Sequence, residues 1–170
     1  MKRITFFALL LLACNLANAT EKMTPKSMSV IGEWAGSGST AGQNFTACAK
    51  FSPHMDDVYL HMEYAINYGK SAKLPDQKSE TFYVFLDAGR VEGVSLDSLS
   101  NVFQITGIFA NQRMSVSWLK NGKNIGKAEW FLSSDRKMLT FVRYGRIGEE
   151  YREIGDVVLR RLPAGKTCGK

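Results

Sequence analysis

Short runs of alternating apolar and polar residues fill the chain from residue 30 to residue 162. In one of them, Phe45, Ala47, Ala49 and Phe51 fall on one face, and the residues between them fall on the other. An alternation with period two predicts antiparallel β-strands that are buried on one face and wet on the other. No stretch of similar length has the period of an amphipathic helix. The ten predicted strands are 30–36, 43–52, 57–67, 81–87, 90–96, 101–109, 113–120, 125–132, 138–144 and 150–162.

Turn-forming residues separate these runs and indicate sequential hairpins. Asn121-Gly122 is the strongest hairpin signal, and Asp87-Ala88-Gly89 predicts another short turn. Sequential hairpins leave two exposed sheet edges unless the sheet closes on itself. We therefore expect an all-β fold, a single antiparallel up-and-down β-barrel of about ten strands, with a β-sandwich as the alternative. Residues 69–80 lack alternation and predict either a lid over the barrel or a solvated connection.

The N-terminus has the three parts of a secretory signal peptide: basic Lys2 and Arg3, an apolar run, and the small residues of Ala17-Asn18-Ala19. In the alternative interpretation, Leu11-Leu12-Ala13-Cys14 resembles a bacterial lipobox, and lipidation of Cys14 would anchor the protein to a membrane. We expect export to the periplasm or the medium. The predicted organisation is a signal peptide (1–19), a flexible segment (20–29) and a barrel domain with a C-terminal tail (30–170).

Charge and cysteine content narrow the classes of function. The formal charge of +6 falls to +4 when Lys2 and Arg3 are removed, and the basic residues are scattered, so nucleic-acid binding is not expected. After the leader, Cys48 and Cys168 remain. In an oxidising compartment two such cysteines are expected to form a disulfide.

One triplet carries a family resemblance. Gly32-Glu33-Trp34, on the first predicted strand, resembles the Gly-x-Trp signature of the lipocalin-like (calycin) β-barrel proteins. The resemblance implies that Gly32 and Trp34 belong to a plug at one end of the barrel, with Arg160 or Arg161 packed across the indole ring. Lipocalins also often tie the C-terminal tail to a strand by a disulfide. About ten strands fit the fatty-acid-binding or nitrobindin-like type, or an uncharacterised bacterial exported branch, better than a true lipocalin.

Four residues are candidates for ligand binding. The fatty-acid-binding branch holds a carboxylate with late-strand arginine and tyrosine, and Arg143, Tyr144 and Tyr151 occupy similar positions here with different spacing. Tyr64 shares a strand face with apolar residues. An inward Arg143 would need an anion, because a buried unpaired charge is costly. The alternatives are an outward Arg143 or an internal carboxylate partner such as Glu153 or Glu129.

No motif indicates catalysis or a metal site. The two histidines, His54 and His61, would lie about 23 Å apart on an extended strand, so they share an ion only if the chain folds back at Asp56-Asp57. We expect no cofactor, no metal and no catalysis. The predicted function is binding of a small apolar or amphipathic, fatty-acid- or lipid-like molecule. The alternatives are an envelope protein-interaction module or hydrolase inhibitor with a filled barrel, and a barrel isomerase or lyase. A membrane partner is expected only if Cys14 is lipidated, and the oligomeric state is left open.

Overall fold

The structure is a computed structural model that describes residues 28–70 and 72–168. The predicted signal peptide, Cys14 and residues 20–27 lie outside the described residues. One short 3-10 turn, Asp87–Gly89, joins the fourth and fifth strands, and no helix in the described part is long and apolar enough to cross a bilayer. The strands are β1 (Gly32–Thr40), β2 (Gln43–His54), β3 (Tyr59–Asn67), β4 (Gln77–Phe85), β5 (Arg90–Asp97), β6 (Val102–Ala110), β7 (Arg113–Lys120), β8 (Lys123–Leu132), β9 (Met138–Ile147) and β10 (Glu150–Arg161).

The ten strands form one closed antiparallel barrel. Each strand pairs with its successor, and β1 pairs with β10, from Trp34 opposite Arg161 to Thr40 opposite Gly155. Closure gives every edge strand a partner, which removes the exposed edges that an open meander would present. The predicted fold class is confirmed, and the barrel is consistent with a calycin-like shape.

The largest differences from the predicted strands concern β1, which continues four residues past its predicted end to Thr40, and β4. β4 begins at Gln77, four residues before the predicted start, because Lys78 pairs with Ala65 of β3 through the backbone. Backbone pairing does not require apolar alternation, so the side-chain pattern did not reveal it. The connection from β3 to β4 is therefore only Tyr68–Asp76. Tyr68 is buried, and its ring meets the edge of Phe45 at a centroid distance of 5.4 Å, so this connection begins against the barrel.

Large side chains fill the centre of the lumen. Trp130 is almost completely buried, and Phe51 and Tyr83 pack against it at centroid distances of 5.3 and 6.1 Å. The void beside Phe51 and Trp130 measures only about 10 Å³, which is too small for a ligand. Burial of this apolar surface is the main term that stabilises the barrel. Among the described residues, larger cavities lie towards the ends of the barrel and on its outside.

Candidate ligand-binding cavity

The two ends of the barrel differ. We call the end that carries Trp34 the closed end, and the opposite end, with the β3–β4 connection and the β9–β10 turn, the cavity end. Just inside the cavity end lies a cavity of about 250 Å³. Its wall is mostly apolar, with contributions from Met62, Ile66, Phe103, Trp118, Ile125, Phe141 and Ile154. A few polar side chains interrupt this wall, which is the usual composition of a small-molecule site.

Arg143 lies on the inner face of β9 and lines the cavity. Its guanidinium group donates a hydrogen bond to the Thr40 hydroxyl (2.5 Å) and lies 5.9 Å from the centre of the Phe45 ring. Among the described residues, no carboxylate comes within 4.0 Å of it. Glu129, considered as its partner, lies on the outer face of β8 and pairs with Arg113 at 2.8 Å. Arg143 therefore brings a positive charge into the cavity without an ion-pair partner among the described residues, although Asp97 and Lys78 also contribute to the cavity wall.

Tyr64 reaches the same cavity from β3. Its ring packs edge-on against Phe141 at a centroid distance of 5.6 Å. Its hydroxyl group is buried and has no hydrogen-bond partner among the described residues. Burial raises the pKa of Tyr64, and the charge of Arg143 opposes that rise only in part. At neutral pH the cavity therefore presents an unused phenol donor next to a guanidinium group, an arrangement that suits an anion.

A pair of hydroxyl groups lines another part of the wall. Thr81 of β4 and Ser95 of β5 are buried, and their oxygens are 2.8 Å apart. Tyr83 follows on the same face of β4 and also lines the cavity; burial raises its pKa, and the Thr81 side chain opposes that rise only in part. These three residues were not among the predicted ligand-binding residues. The available signal was that Thr81 and Ser95 occupy positions of the alternation otherwise held by core residues such as Phe85 and Val91.

The other two predicted ligand residues have different surroundings. The Tyr144 ring packs under the Lys127 ammonium group at 4.5 Å, although Tyr144 also contributes to the cavity rim. Tyr151 is exposed, and the same ammonium group lies 5.4 Å from its ring. The structure thus brings Arg143 and Tyr64 together and leaves Tyr151 outside the cavity.

The closed end contains the residues of the Gly-x-Trp signature. Trp34 is fully buried, and its indole nitrogen donates to the Val30 carbonyl at 2.8 Å. The Arg161 guanidinium lies 4.3 Å from the indole ring and donates to the carbonyls of Ser29 and Ile31. Arg160 is exposed on the other face of β10. Gly32 approaches Arg161 so closely that a side-chain β-carbon there would lie 2.9 Å from its guanidinium group.

A disulfide joins Cys48 on β2 to Cys168 in the C-terminal tail. The backbone amide of Cys168 also donates to the Glu33 carboxylate at 2.9 Å, so the tail is fixed against β1 as well. The predicted disulfide is confirmed. Such a bond is typical of proteins in oxidising, non-cytoplasmic compartments.

The two histidines are closer than the distance along an extended strand would suggest. The chain folds back after His54, so the rings of His54 and His61 are 5.7 Å apart on the outer face, with Phe82 stacked on His61 at 4.5 Å. The chain therefore does fold back between the two histidines, as sharing of one ion would require. Within residues 28–70 and 72–168, no group of three potential ligands has the geometry to hold a metal ion.

Comparison with known proteins supports the fold. Neither a protein-family model nor a curated protein matches the sequence. The crystal structure of Rv2717c from M. tuberculosis is similar to this chain, with a TM-score of 0.58 and 14% sequence identity. The similarity covers 79% of this chain and 94% of Rv2717c. At this identity the likeness concerns the architecture of the barrel alone.

Proposed function

We propose that this chain is an exported binding protein for a small amphipathic molecule that carries an anionic group. The cavity of about 250 Å³ at the cavity end of the barrel is the binding site, with Arg143 and Tyr64 as its anion-binding residues. The observation that supports this most directly is the cationic Arg143 side chain in a cavity wall with no carboxylate partner among the described residues. A ligand anion would supply an ion-pair partner for Arg143 and would accept a hydrogen bond from the Tyr64 hydroxyl group.

The size of the cavity limits the ligand. Small-molecule pockets usually measure about 300–1,000 Å³, whereas this one is about 250 Å³. A short carboxylate fits the cavity better than a complete lipid. Its apolar part would contact Phe103, Trp118 and Ile154, and burial would contribute roughly 25 cal/mol for each Å² removed from water.

A titration of the protein with straight-chain carboxylates of four to ten carbons, followed by calorimetry, tests the proposal. Charged hydrogen bonds contribute about 1.5–3 kcal/mol, so Arg143→Met should weaken binding about 10- to 100-fold. Tyr64→Phe should weaken it less, because it removes a neutral donor. Arg146→Met and Tyr151→Phe are matched controls, since both side chains are exposed at the paired ends of β9 and β10 and neither lines the cavity. Binding that is absent from the wild type, or unchanged in Arg143→Met, would rule the proposal out.

Export is part of the same proposal. It is supported by the Cys48–Cys168 disulfide together with the predicted leader. Mass spectrometry of the protein from the cell envelope distinguishes the two processing routes. Cleavage after Ala19 would give a mature chain that begins at Thr20, whereas a lipidated Cys14 would place the barrel on a membrane. A chain that keeps its first nineteen residues in the cytoplasm would contradict both.

A second candidate function is that of a protein-interaction module. It is favoured by the filled centre of the lumen and by a depression of about 730 Å³ on the outside of the barrel, lined by Lys50, Glu63, Lys78, Glu80 and the tail at Thr167. The depression is shallow and mixed in charge, so its residues indicate no particular partner. This alternative would be favoured if the wild-type protein bound no carboxylate but was purified from the envelope in a stable complex with another protein.

A further inference from the structure

The buried hydroxyl groups of the cavity carry a further inference about the ligand. Within the described residues, the buried polar or charged side chains are Thr81, Ser95 and Glu129. Glu129 forms ion pairs with Arg113 and Lys127 on the outer face. Thr81 and Ser95 are therefore the buried polar side chains that face the lumen, in a wall that is otherwise mainly apolar.

Proton counting shows that this hydroxyl pair is not fully used. Thr81 and Ser95 share one hydrogen bond at 2.8 Å, although the two groups have two protons between them. One of these two protons therefore remains, together with unused oxygen lone pairs. Tyr83, on the same face of β4, adds a third hydroxyl-bearing side chain. All three side chains line the cavity, so a ligand group there can both accept and donate.

The barrel topology places these hydroxyls across the cavity from Arg143. In the closed ring of ten strands, β5 is four positions from β9, and β4 is five positions away, the greatest separation possible. Arg143 belongs to β9, whereas Thr81 and Ser95 belong to β4 and β5. Tyr64 also starts on the far side, on β3, but its ring reaches Phe141 of β9 at a centroid distance of 5.6 Å. The shorter side chains of Thr81 and Ser95 remain at β4 and β5. The cavity thus has a cationic wall at Arg143 and a hydroxyl-bearing wall at Thr81 and Ser95, with Phe103, Trp118 and Phe141 contributing apolar surface.

We infer that the ligand is a short hydroxylated organic anion, with its anionic group at Arg143 and Tyr64 and its hydroxyl group at Thr81 and Ser95. This inference rests on the proposed function and specifies its ligand class. A binding site built to hydrogen-bond a hydroxyl group discriminates against the analogue that lacks it, because buried polar groups then remain without partners. A purely apolar tail would leave the hydroxyl pair facing carbon.

Matched probes test the inference. Hexanoate is compared with 6-hydroxyhexanoate, and octanoate with 8-hydroxyoctanoate, by calorimetry on the wild-type protein. One additional hydrogen bond predicts that the hydroxylated member of at least one pair binds about 2- to 10-fold more tightly. Equal or weaker binding of both hydroxylated probes would overturn the inference and leave the proposed function standing. Failure of all four probes to bind would overturn both.

Variants locate the preference within the cavity. Thr81→Val and Ser95→Ala should each remove the preference for the hydroxylated probe while retaining binding of the plain carboxylate. Thr106→Val is the matched control, because Thr106 is exposed on the outer face of β6. Circular dichroism identifies variants that fail to fold. If Thr81→Val does not fold, Ser95→Ala decides the result, because it changes the side-chain volume less. A folded Ser95→Ala protein with the full wild-type preference would contradict the inference.

Discussion

Adjacent arginines near the end of β10 occupy opposite environments. Arg161 stacks on Trp34 and donates to the carbonyls of Ser29, Ile31 and Arg136, whereas Arg160 is exposed. Lysine keeps the charge but lacks the planar fork that makes these contacts together. Arg161→Lys should therefore lower the free energy of unfolding by about 1–3 kcal/mol.

Arg160→Lys is the control for this prediction and should change the free energy of unfolding by less than about 0.5 kcal/mol, as surface substitutions usually do. Urea unfolding followed by tryptophan fluorescence measures both variants. Equal effects of the two substitutions would show that the stacking on Trp34 contributes nothing to stability.

The two buried tyrosines of the cavity predict a loss of stability in alkali. Burial raises the pKa values of Tyr64 and Tyr83 in the folded protein, while an unfolded tyrosine ionises near pH 10. Above about pH 10 the unfolded chain therefore releases protons that the folded chain retains, so the free energy of unfolding falls as pH rises. The stability contributed by the two neutral phenols is fully present below pH 10.

The Tyr64→Phe/Tyr83→Phe double variant should lose less stability than the wild type between pH 9.5 and 11.5, measured as the change in unfolding free energy across that interval. Tyr151→Phe serves as the control, because its side chain is exposed. Identical pH dependence in the wild type and the double variant would contradict the prediction.

In β9, residue alternation predicts which side chains share a face, but not which face is inside. Arg143 and Tyr144 are neighbours on β9, so they point in opposite directions, and both were candidates. Each face of this strand mixes apolar and polar residues: Phe141 accompanies Arg143, and Val142 accompanies Tyr144. Only the pairing of β9 with β8 and β10 fixes the orientation. The position of Arg143 in the cavity could therefore be offered as an alternative, but not decided, from sequence.

At the level of elements, small residues allow β1 and β10 to close the barrel. Gly36 lies opposite Leu159, and a β-carbon built there would be 1.9 Å from the carbonyl oxygen of Val158. Because the obstacle is backbone, a larger residue must push the two strands apart. Gly36→Ala should cost about 2–4 kcal/mol of unfolding free energy, in the range of severe overpacking.

Ser37→Ala, one residue along the same strand, is the matched control, because Ser37 is exposed. Chemical denaturation of both variants gives the comparison. A Gly36→Ala protein as stable as Ser37→Ala would show that the seam tolerates separation.

Turn signals and alternation located most elements, because each hairpin is a local feature. The exceptions were the end of β1, which continues to Thr40, and the start of β4, where Gln77 and Lys78 extend the ladder with polar side chains against Ile66 and Ala65. The extension of β4 depends on backbone pairing with β3, the preceding strand, rather than on the side-chain pattern of the residues themselves. The packing of Tyr68 on Phe45 was missed for the same reason.

At the scale of the whole molecule, closure could be predicted because sequential hairpins leave edges that need partners. The disulfide could be predicted from the expected compartment. The contents of the lumen could not, because the residual volume is a small difference between the space enclosed by ten strands and the volume of the side chains inside. The central void of about 10 Å³ and the end cavity of about 250 Å³ follow from the packing of Trp130, Phe51 and Tyr83.

The Cys48–Cys168 disulfide closes a loop over a sequence separation of 120 residues, nearly the whole barrel. The loop-entropy account predicts that its removal costs about 4–5 kcal/mol, mainly by freeing the unfolded chain. The β1–β10 ladder ends at Arg161, before the tail, so the folded barrel itself should persist. Cys48→Ser/Cys168→Ser should thus keep the far-ultraviolet circular dichroism of the wild type and unfold at lower denaturant. Adding reductant should destabilise the wild type to the same extent and leave the double variant unchanged. An equally stable reduced wild type would mean that the tail does not restrict the unfolded chain.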